Sequence, residues 1–270
     1  MKNFCVIGNP IDHSFSPQLH NWIFNKLNIK ANYKKIVCNE NDFFTIINKI
    51  KNDDLMGINI TIPFKESVIK FLDEINHRVE LIGSVNCILK NNQKIIGYNT
   101  DWYGFSKLLF NNKINVYNKE VIIIGAGGVS KAIIHSLINH NIKKIRLFNR
   151  TFTKAKAMEN FFINAYKLEN LECFIKKNSI IINCTSVGMK NNISPISESL
   201  IHKNQILIDT IYNPYMTELL KIGKRKGSQV INGMDMFIYQ GIASLELWLG
   251  KSINDELNIL ELKKYLKDIL

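Results

Sequence analysis

Short apolar runs alternate with segments of helical period along almost the whole chain. Residues 4–8 read as a first strand, and residues 17–27 as a helix with Ser16 as N-cap and Pro17 at its first position. Strands over 33–37 and 56–61 are each followed by a helical pattern, over 41–50 and 64–72. Residues 85–89 and 95–98 flank the polar stretch 90–94 and predict a β-hairpin. A helix begins over 102–110, and 111–119 is polar without period.

A second series then starts. Strands are expected at 121–124, 144–148, 179–184, 206–209 and 229–231, with helices at 129–139, 153–166 and 217–226, the last ending at Gly227. Two closing helices are expected at 236–249 and 257–266. Strands separated by helices indicate parallel sheets with helices on their faces. The fold class is therefore α/β with two domains, the boundary lying near the helix that starts after Asp101.

Composition narrows the function classes. Hydrophobic residues make up 46% of the chain, an ordinary globular share, and no apolar run is long enough for a membrane span. The N-terminal run is too short for a signal peptide, so a cytoplasmic protein is expected. The 5 cysteines are widely spaced without a C-x-x-C, and the 6 histidines form no H-E-x-x-H, so neither a disulfide framework nor a metal site is expected. Cys5, Cys87 and Cys184 fall in strand-like runs and read as buried thiols. The net charge of +12 comes from lysines scattered among asparagines and isoleucines, with no basic block alternating with aromatics. That spread fits the imprint of an AT-rich genome, or a field that steers anionic ligands, rather than nucleic-acid binding.

The turn Gly125-Ala126-Gly127-Gly128-Val129-Ser130 follows a strand and opens a helix. Gly125 allows the tight turn, and Gly127 allows close backbone approach to a pyrophosphate. Free N–H groups and the helix dipole at the helix start then favour phosphates. A glycine turn in a ligand-free α/β domain is the plainer alternative, but strand, turn, helix and strand in series favour a dinucleotide. The next strand ends at Asn149-Arg150-Thr151, where enzymes that prefer NAD carry an acidic residue. Asn149 removes that repulsion, and Arg150, Thr151 and Lys154 offer a fork, a hydroxyl and a charge to a 2′-phosphate. Solvated surface charges are the plainer reading of Arg150 and Lys154 in a chain of net charge +12, but four suitable groups in six residues at this place favour NADP(H).

More specific motifs surround this turn. Gly8-Asn9-Pro10-Ile11-x-His13-Ser14-x-Ser16-Pro17 follows the first strand, and Asn59-Ile60-Thr61-Ile62-Pro63-Phe64-Lys65 ends the third. Gly83-Ser84-Val85-Asn86 and Tyr98-Asn99-Thr100-Asp101-x-x-Gly104 come next. The C-terminal half adds Asn183-Cys184-Thr185-Ser186-Val187-Gly188-Met189, Asp209-x-x-Tyr212-Asn213-Pro214 and Asn232-Gly233-Met234-x-Met236-x-x-x-Gln240. In this order and spacing, from about Phe4 to about Trp248, the set resembles the shikimate dehydrogenase family.

The resemblance implies reversible NADPH-dependent reduction of 3-dehydroshikimate to shikimate, a step toward chorismate and the aromatic amino acids. It implies an N-terminal α/β substrate domain, 1–101 with about 237–270, and a Rossmann-type NADP-binding domain, 102–236, with a cleft between them. Lys65 and Asp101 match the catalytic positions. Ser14 and Ser16 match the residues that hold the substrate carboxylate, and Thr61, Asn86, Tyr212 and Gln240 match further substrate contacts. Gly125, Ala126, Gly127, Gly128, Val129, Asn149, Arg150, Thr151, Lys154, Thr185 and Gly233 match the cofactor site. Asn59 and Asn99 fit better as residues that hold loops in shape.

Without the resemblance, Lys65 would be one surface lysine among many and Asp101 a helix cap. Cys87 stands where the family usually has Thr, Lys154 where Arg is frequent, and His77 where an acid is common. Expected partners are a small-molecule substrate, no nucleic acid and no membrane, in a monomer or homodimer. Two rivals stand: a quinate/shikimate dehydrogenase with broader substrate or NAD use, and a non-catalytic ligand-binding relative.

Overall fold

The computed structural model describes residues 1–270. The chain forms two compact units, Met1–Gly104 with Ile238–Ile269, and Phe105–Phe237 with the terminal Leu270.

The first unit is built on β1 (Lys2–Gly8), α1 (Ser16–Lys26), β2 (Ala31–Val37), α2 (Phe43–Lys51), β3 (Gly57–Ile60), β4 (Glu74–Ile75), α3 (His77–Ile82), β5 (Cys87–Asn91) and β6 (Lys94–Tyr98). Its sheet has the order β2-β1-β3-β5-β6-β4. β1 pairs in parallel with β2 and β3, whereas β5 is antiparallel to β3 and β6, so this sheet is mixed rather than parallel. The hairpin turn puts Asn92 and Gln93 at φ of 48° and 66°, the double left-handed turn that matches strand twist. On one face, α2 lays Phe43, Ile46, Ile47 and Ile50 over Ile58 and Ile88. Trp248 stacks on Phe4 at 4.9 Å and donates its indole N–H to the Ile88 carbonyl at 3.1 Å.

Local departures from expectation have local causes. Ser16 is not the N-cap of α1; Phe15 is, and its ring offers no acceptor to the first helical N–H groups, while the Ser16 hydroxyl accepts from Ser14. Residues 64–72 form no α-helix but a turn and a 3-10 segment, Ser67–Phe71. Their apolar spacing instead sets Phe64 and Phe71 edge-on against Phe43, at 5.1 and 5.2 Å. The short β4 and α3 carry too few residues for a periodic signal. α3 is defined by its ends, with Asn76 capping through the Arg78 N–H and Gly83 stopping it at φ 71°.

The second series runs α4 (Asp101–Asn111), β7 (Glu120–Ile124), α5 (Gly128–Asn139), β8 (Lys144–Asn149), α6 (Phe152–Lys156), β9 (Ile163–Lys167), β10 (Ile180–Asn183), β11 (Ile206–Asp209), α7 (Glu218–Lys226), β12 (Gln229–Ile231), α8 (Met234–Leu249) and α9 (Ile259–Asp268). Strands β7 to β12 form an all-parallel sheet in the order β12-β11-β10-β7-β8-β9. Read from the other edge, this is the doubly wound order of nucleotide-binding sheets. Both faces are covered, since Val121, Ile123, Ile182 and Ile208 enter one core while Ile122, Ile124, Ile181 and Leu207 enter the other. The helix expected over 153–166 stops after Lys156. Asn160 Oδ1 accepts from the N–H groups of Phe162 and Ile163, which turns the chain into β9.

Candidate functional site

Lys65 follows β3 in a tight turn, its carbonyl held by the Val85 N–H at 2.7 Å. Asp101 is the first residue of α4, and its N–H is capped by Asn99 Oδ1 at 3.0 Å. Asn99 in turn donates to Ser84, so the loop before α4 is pinned to the loop before β5. The carboxylate of Asp101 is therefore free of capping duty. Its Oδ2 lies 2.5 Å from Lys65 Nζ, with the side chains only 13% and 6% exposed. Its Oδ1 accepts from Asn86 Nδ2 at 3.0 Å. Asn86 Nδ2 also reaches Thr100 Oγ1 at 2.9 Å and Gln240 Oε1 at 3.2 Å. Lys65, Asp101, Asn86 and Gln240, far apart in sequence, thus form one largely buried polar cluster.

Tyr33, Thr100 and Ser244 join this cluster without any expectation from sequence. Tyr33 donates to Asn59 Oδ1 at 2.7 Å, and the Asn59 amide donates to the Asn86 carbonyl and to Ser244 Oγ, both at 2.9 Å. Ser244 lies 3.0 Å from Thr100 Oγ1 and donates to the Gln240 carbonyl at 2.9 Å. The one available signal was the i,i+4 spacing of Gln240 and Ser244 on α8.

Ser14 and Ser16 are buried side by side, their hydroxyl oxygens 3.1 Å apart. Ser14 donates to Ser16, which leaves the Ser16 proton to be given elsewhere. Thr61 follows β3, and its N–H donates to the Ile7 carbonyl near the end of β1 at 3.0 Å. Tyr212 belongs to the second unit, stacked on Phe237 at 4.0 Å.

In that unit, Gly125 sits at φ +107°, a conformation that favours glycine, and a side chain there would meet Thr185 and the Cys184 carbonyl at 3.0–3.1 Å. Above Gly127, by contrast, a Cβ would meet nothing within 4 Å. Gly127 is the N-cap of α5 and, being glycine, leaves that open space unfilled. Ser130 is buried and donates back to the Gly127 carbonyl at 2.6 Å. Asn149 braces the turn, accepting from Ala126 N–H at 3.1 Å and donating to the Thr151 carbonyl at 2.8 Å. Arg150, Thr151 and Lys154 are exposed beyond it, and neither cation forms an ion pair. Open space above Gly127 at a helix N-terminus and the nearby exposed cations fit a dinucleotide phosphate. The Thr185 hydroxyl is spent within its own loop, donating to Asn183 Oδ1 at 2.7 Å. Gly233 is required by packing, since a Cβ there would fall 2.1 Å from the Thr210 carbonyl oxygen.

No group of three or more His, Cys, Asp or Glu side chains could hold a metal ion, and no helix is long and apolar enough to cross a membrane.

Comparison with known proteins assigns both halves. Residues 6–88 match the family model of the shikimate dehydrogenase substrate binding domain, and residues 108–209 match that of shikimate / quinate 5-dehydrogenase. A shikimate dehydrogenase (NADP(+)) of Staphylococcus haemolyticus is 40% identical over 261 residues, covering 96% of each chain. That of Pyrococcus furiosus is 38% identical over 256 residues, covering 95% of this chain and 93% of its own. The chain belongs to the shikimate dehydrogenase family.

The crystal structure of shikimate dehydrogenase 1 from Peptoclostridium difficile superposes over 100% of both chains with a TM-score of 0.88 at 35% identity. Two departures from the family pattern have plain structural readings. Cys87 is fully buried in the sheet, where desolvation pushes its thiol up to about 12 against the opposing effects of Ser244 and Trp248. His77 is exposed at the start of α3 and pairs with Glu80 at 3.1 Å. Cys5, Cys38 and Cys184 are buried as well, and Cys173 is exposed.

Proposed function

We propose that this chain catalyses the reversible NADPH-dependent reduction of 3-dehydroshikimate to shikimate, on the route to chorismate. The observation that carries the proposal is the Lys65–Asp101 pair at 2.5 Å, held by Asn86 in a largely buried polar cluster. Reduction of a ketone needs a hydride at carbon and a proton at oxygen. The bound reduced nicotinamide would supply the hydride. Lys65 hydrogen-bonds the carbonyl oxygen, stabilises the negative charge that develops there and delivers the proton. Asp101 holds the Lys65 head in place, and its second oxygen, fixed by Asn86, accepts from a neighbouring ring hydroxyl.

The remaining substrate contacts follow from chemistry. Ser14 and Ser16 present a buried hydroxyl pair at the start of α1 with one proton to give, which suits a carboxylate. Thr61, Asn86, Gln240 and Tyr212 supply further contacts to ring hydroxyls and carboxylate. Gly125 through Val129 receive the pyrophosphate, Arg150, Thr151 and Lys154 hold the 2′-phosphate, and Asn149 shapes the turn between them. Gly233 and Thr185 serve that site through shape. The test is shikimate-dependent formation of reduced nicotinamide by the purified protein; absence of turnover with an intact fold removes the proposal.

A further inference from the structure

Asn183 closes β10 and Asp209 closes the neighbouring parallel strand β11, where the two residues are register partners. Both are fully buried. Asp209 Oδ2 accepts from Thr217 Oγ1 at 2.7 Å, while Oδ1 accepts from the Ile211 N–H and from Asn183 Nδ2, both at 3.1 Å. A carboxylate only accepts, so it dictates the direction of the Asn183 amide. The NH2 group must face Asp209, and Asn183 Oδ1 must face the following loop. There it accepts from Thr185 N at 3.0 Å and from Thr185 Oγ1 at 2.7 Å. Asn183 Nδ2 also reaches the Val187 carbonyl at 3.2 Å. The Thr185 hydroxyl, its proton given away, accepts from Val187 N–H at 3.1 Å. Reversing the amide would set oxygen against the carboxylate and N–H against the Thr185 N–H.

The loop held in this way adjoins the glycine turn. β10 pairs with β7 at the point where the strand order turns, and Gly125 is hemmed in by Cys184 and Thr185. A buried carboxylate is an expensive way to hold a loop. Burial pushes Asp209 up to about 6 even with its three donors. An apolar or amide side chain would serve a purely structural strand end with less desolvation.

We infer that Asp209 is a positioning residue of the dinucleotide site, acting through Asn183 to hold residues 185–187 against the glycine turn. The inference rests on the reading of that turn as the NADP site. Asp209→Asn tests it, because the shape is kept while one acceptor becomes a donor, so Thr217 and Asn183 can no longer both donate to this side chain and the fixed network around Asn183 is broken. NADPH affinity is read by nicotinamide fluorescence, alongside steady-state kinetics and a thermal melt. The expected result is a rise of tenfold or more in the NADPH Kd and in KM for NADP. KM for shikimate should change less than twofold, and kcat at saturating NADP less than threefold. Should Asp209→Asn not fold, Thr185→Val removes only the hydroxyl link and is expected to raise the Kd at least fivefold, with Thr185→Ser restoring it. An unchanged NADPH Kd in a folded variant, or an equal rise in KM for shikimate, overturns the inference. Failure of the unaltered protein to bind NADPH overturns the cofactor reading instead.

Discussion

Asn86 Nδ2 lies 3.0 Å from Asp101 Oδ1, on the side of the carboxylate opposite Lys65 Nζ, which takes Oδ2 at 2.5 Å. The carboxylate is thus held from two directions. Replacing Lys65 by Ala should lower kcat by about 10³-fold, the ordinary range for loss of a proton-transfer group. KM for shikimate should shift by only a few-fold. Steady-state kinetics decide this, and a turnover number within tenfold of the unaltered protein would remove Lys65 from the proton-transfer role.

Arg150 is exposed beside the turn that Asn149 braces and has no ion-pair partner within the chain. Its guanidinium is therefore available to a 2′-phosphate. A charge-assisted contact of this kind contributes about 1.5–3 kcal/mol. Arg150→Ala should raise KM for NADP by about tenfold or more. KM for NAD should stay within twofold. Equal effects on both cofactors would show that Arg150 does not read the phosphate.

His20 is fully buried, stacked on Tyr33 at 4.2 Å, and neither ring nitrogen has a hydrogen-bond partner. Burial pushes its imidazole down to about 3. Between that value and the ordinary 6.5, the unfolded chain binds a proton that the folded chain refuses, so stability falls as pH falls. The loss amounts to about 2 kcal/mol from pH 7 to pH 5. Asp209 has the opposite sign: raised from 3.8 to about 6, it favours the folded state as pH falls through 6 toward 4. His20→Phe should flatten the acid limb below pH 6.5, and Asp209→Asn should steepen it. Urea melts from pH 4.5 to 7.5 measure both, and identical slopes in His20→Phe and the unaltered protein would contradict the assignment.

Gly57 leaves room for Trp248, whose indole nitrogen would lie 2.2 Å from a Cβ at that position. Gly57→Ala therefore has to displace the indole and its bond to the Ile88 carbonyl. Overpacking of this kind costs about 1–3 kcal/mol, with about 1 kcal/mol more for the hydrogen bond. The midpoint of chemical unfolding should fall accordingly, and an unchanged midpoint would mean that the indole moves without cost.

Legibility in the sequence followed the strength of the local signal. The parallel strands of the second unit were plain because β7, β10 and β11 are buried on both faces and read as continuous isoleucine-rich runs. β9 was lost inside an expected helix because the turn at Asn160 is made by side-chain acceptors, which periodicity does not register. The glycine turn was readable from strand, turn and helix in series. The Tyr33–Asn59–Ser244 chain was not, because buried hydrogen bonds between residues 26 and 185 positions apart leave no pattern along the chain. In the sequence Asn149 signals only the charge it lacks, whereas in the structure its amide also braces the turn at Ala126.

The most direct test is turnover of the purified protein with shikimate and with quinate, each against NADP and NAD. Shikimate with NADP should be the preferred pair, with kcat/KM at least tenfold above shikimate with NAD, the sign of a phosphate held by Arg150 and Lys154. Equal rates with both cofactors, or faster oxidation of quinate than of shikimate, would contradict the account.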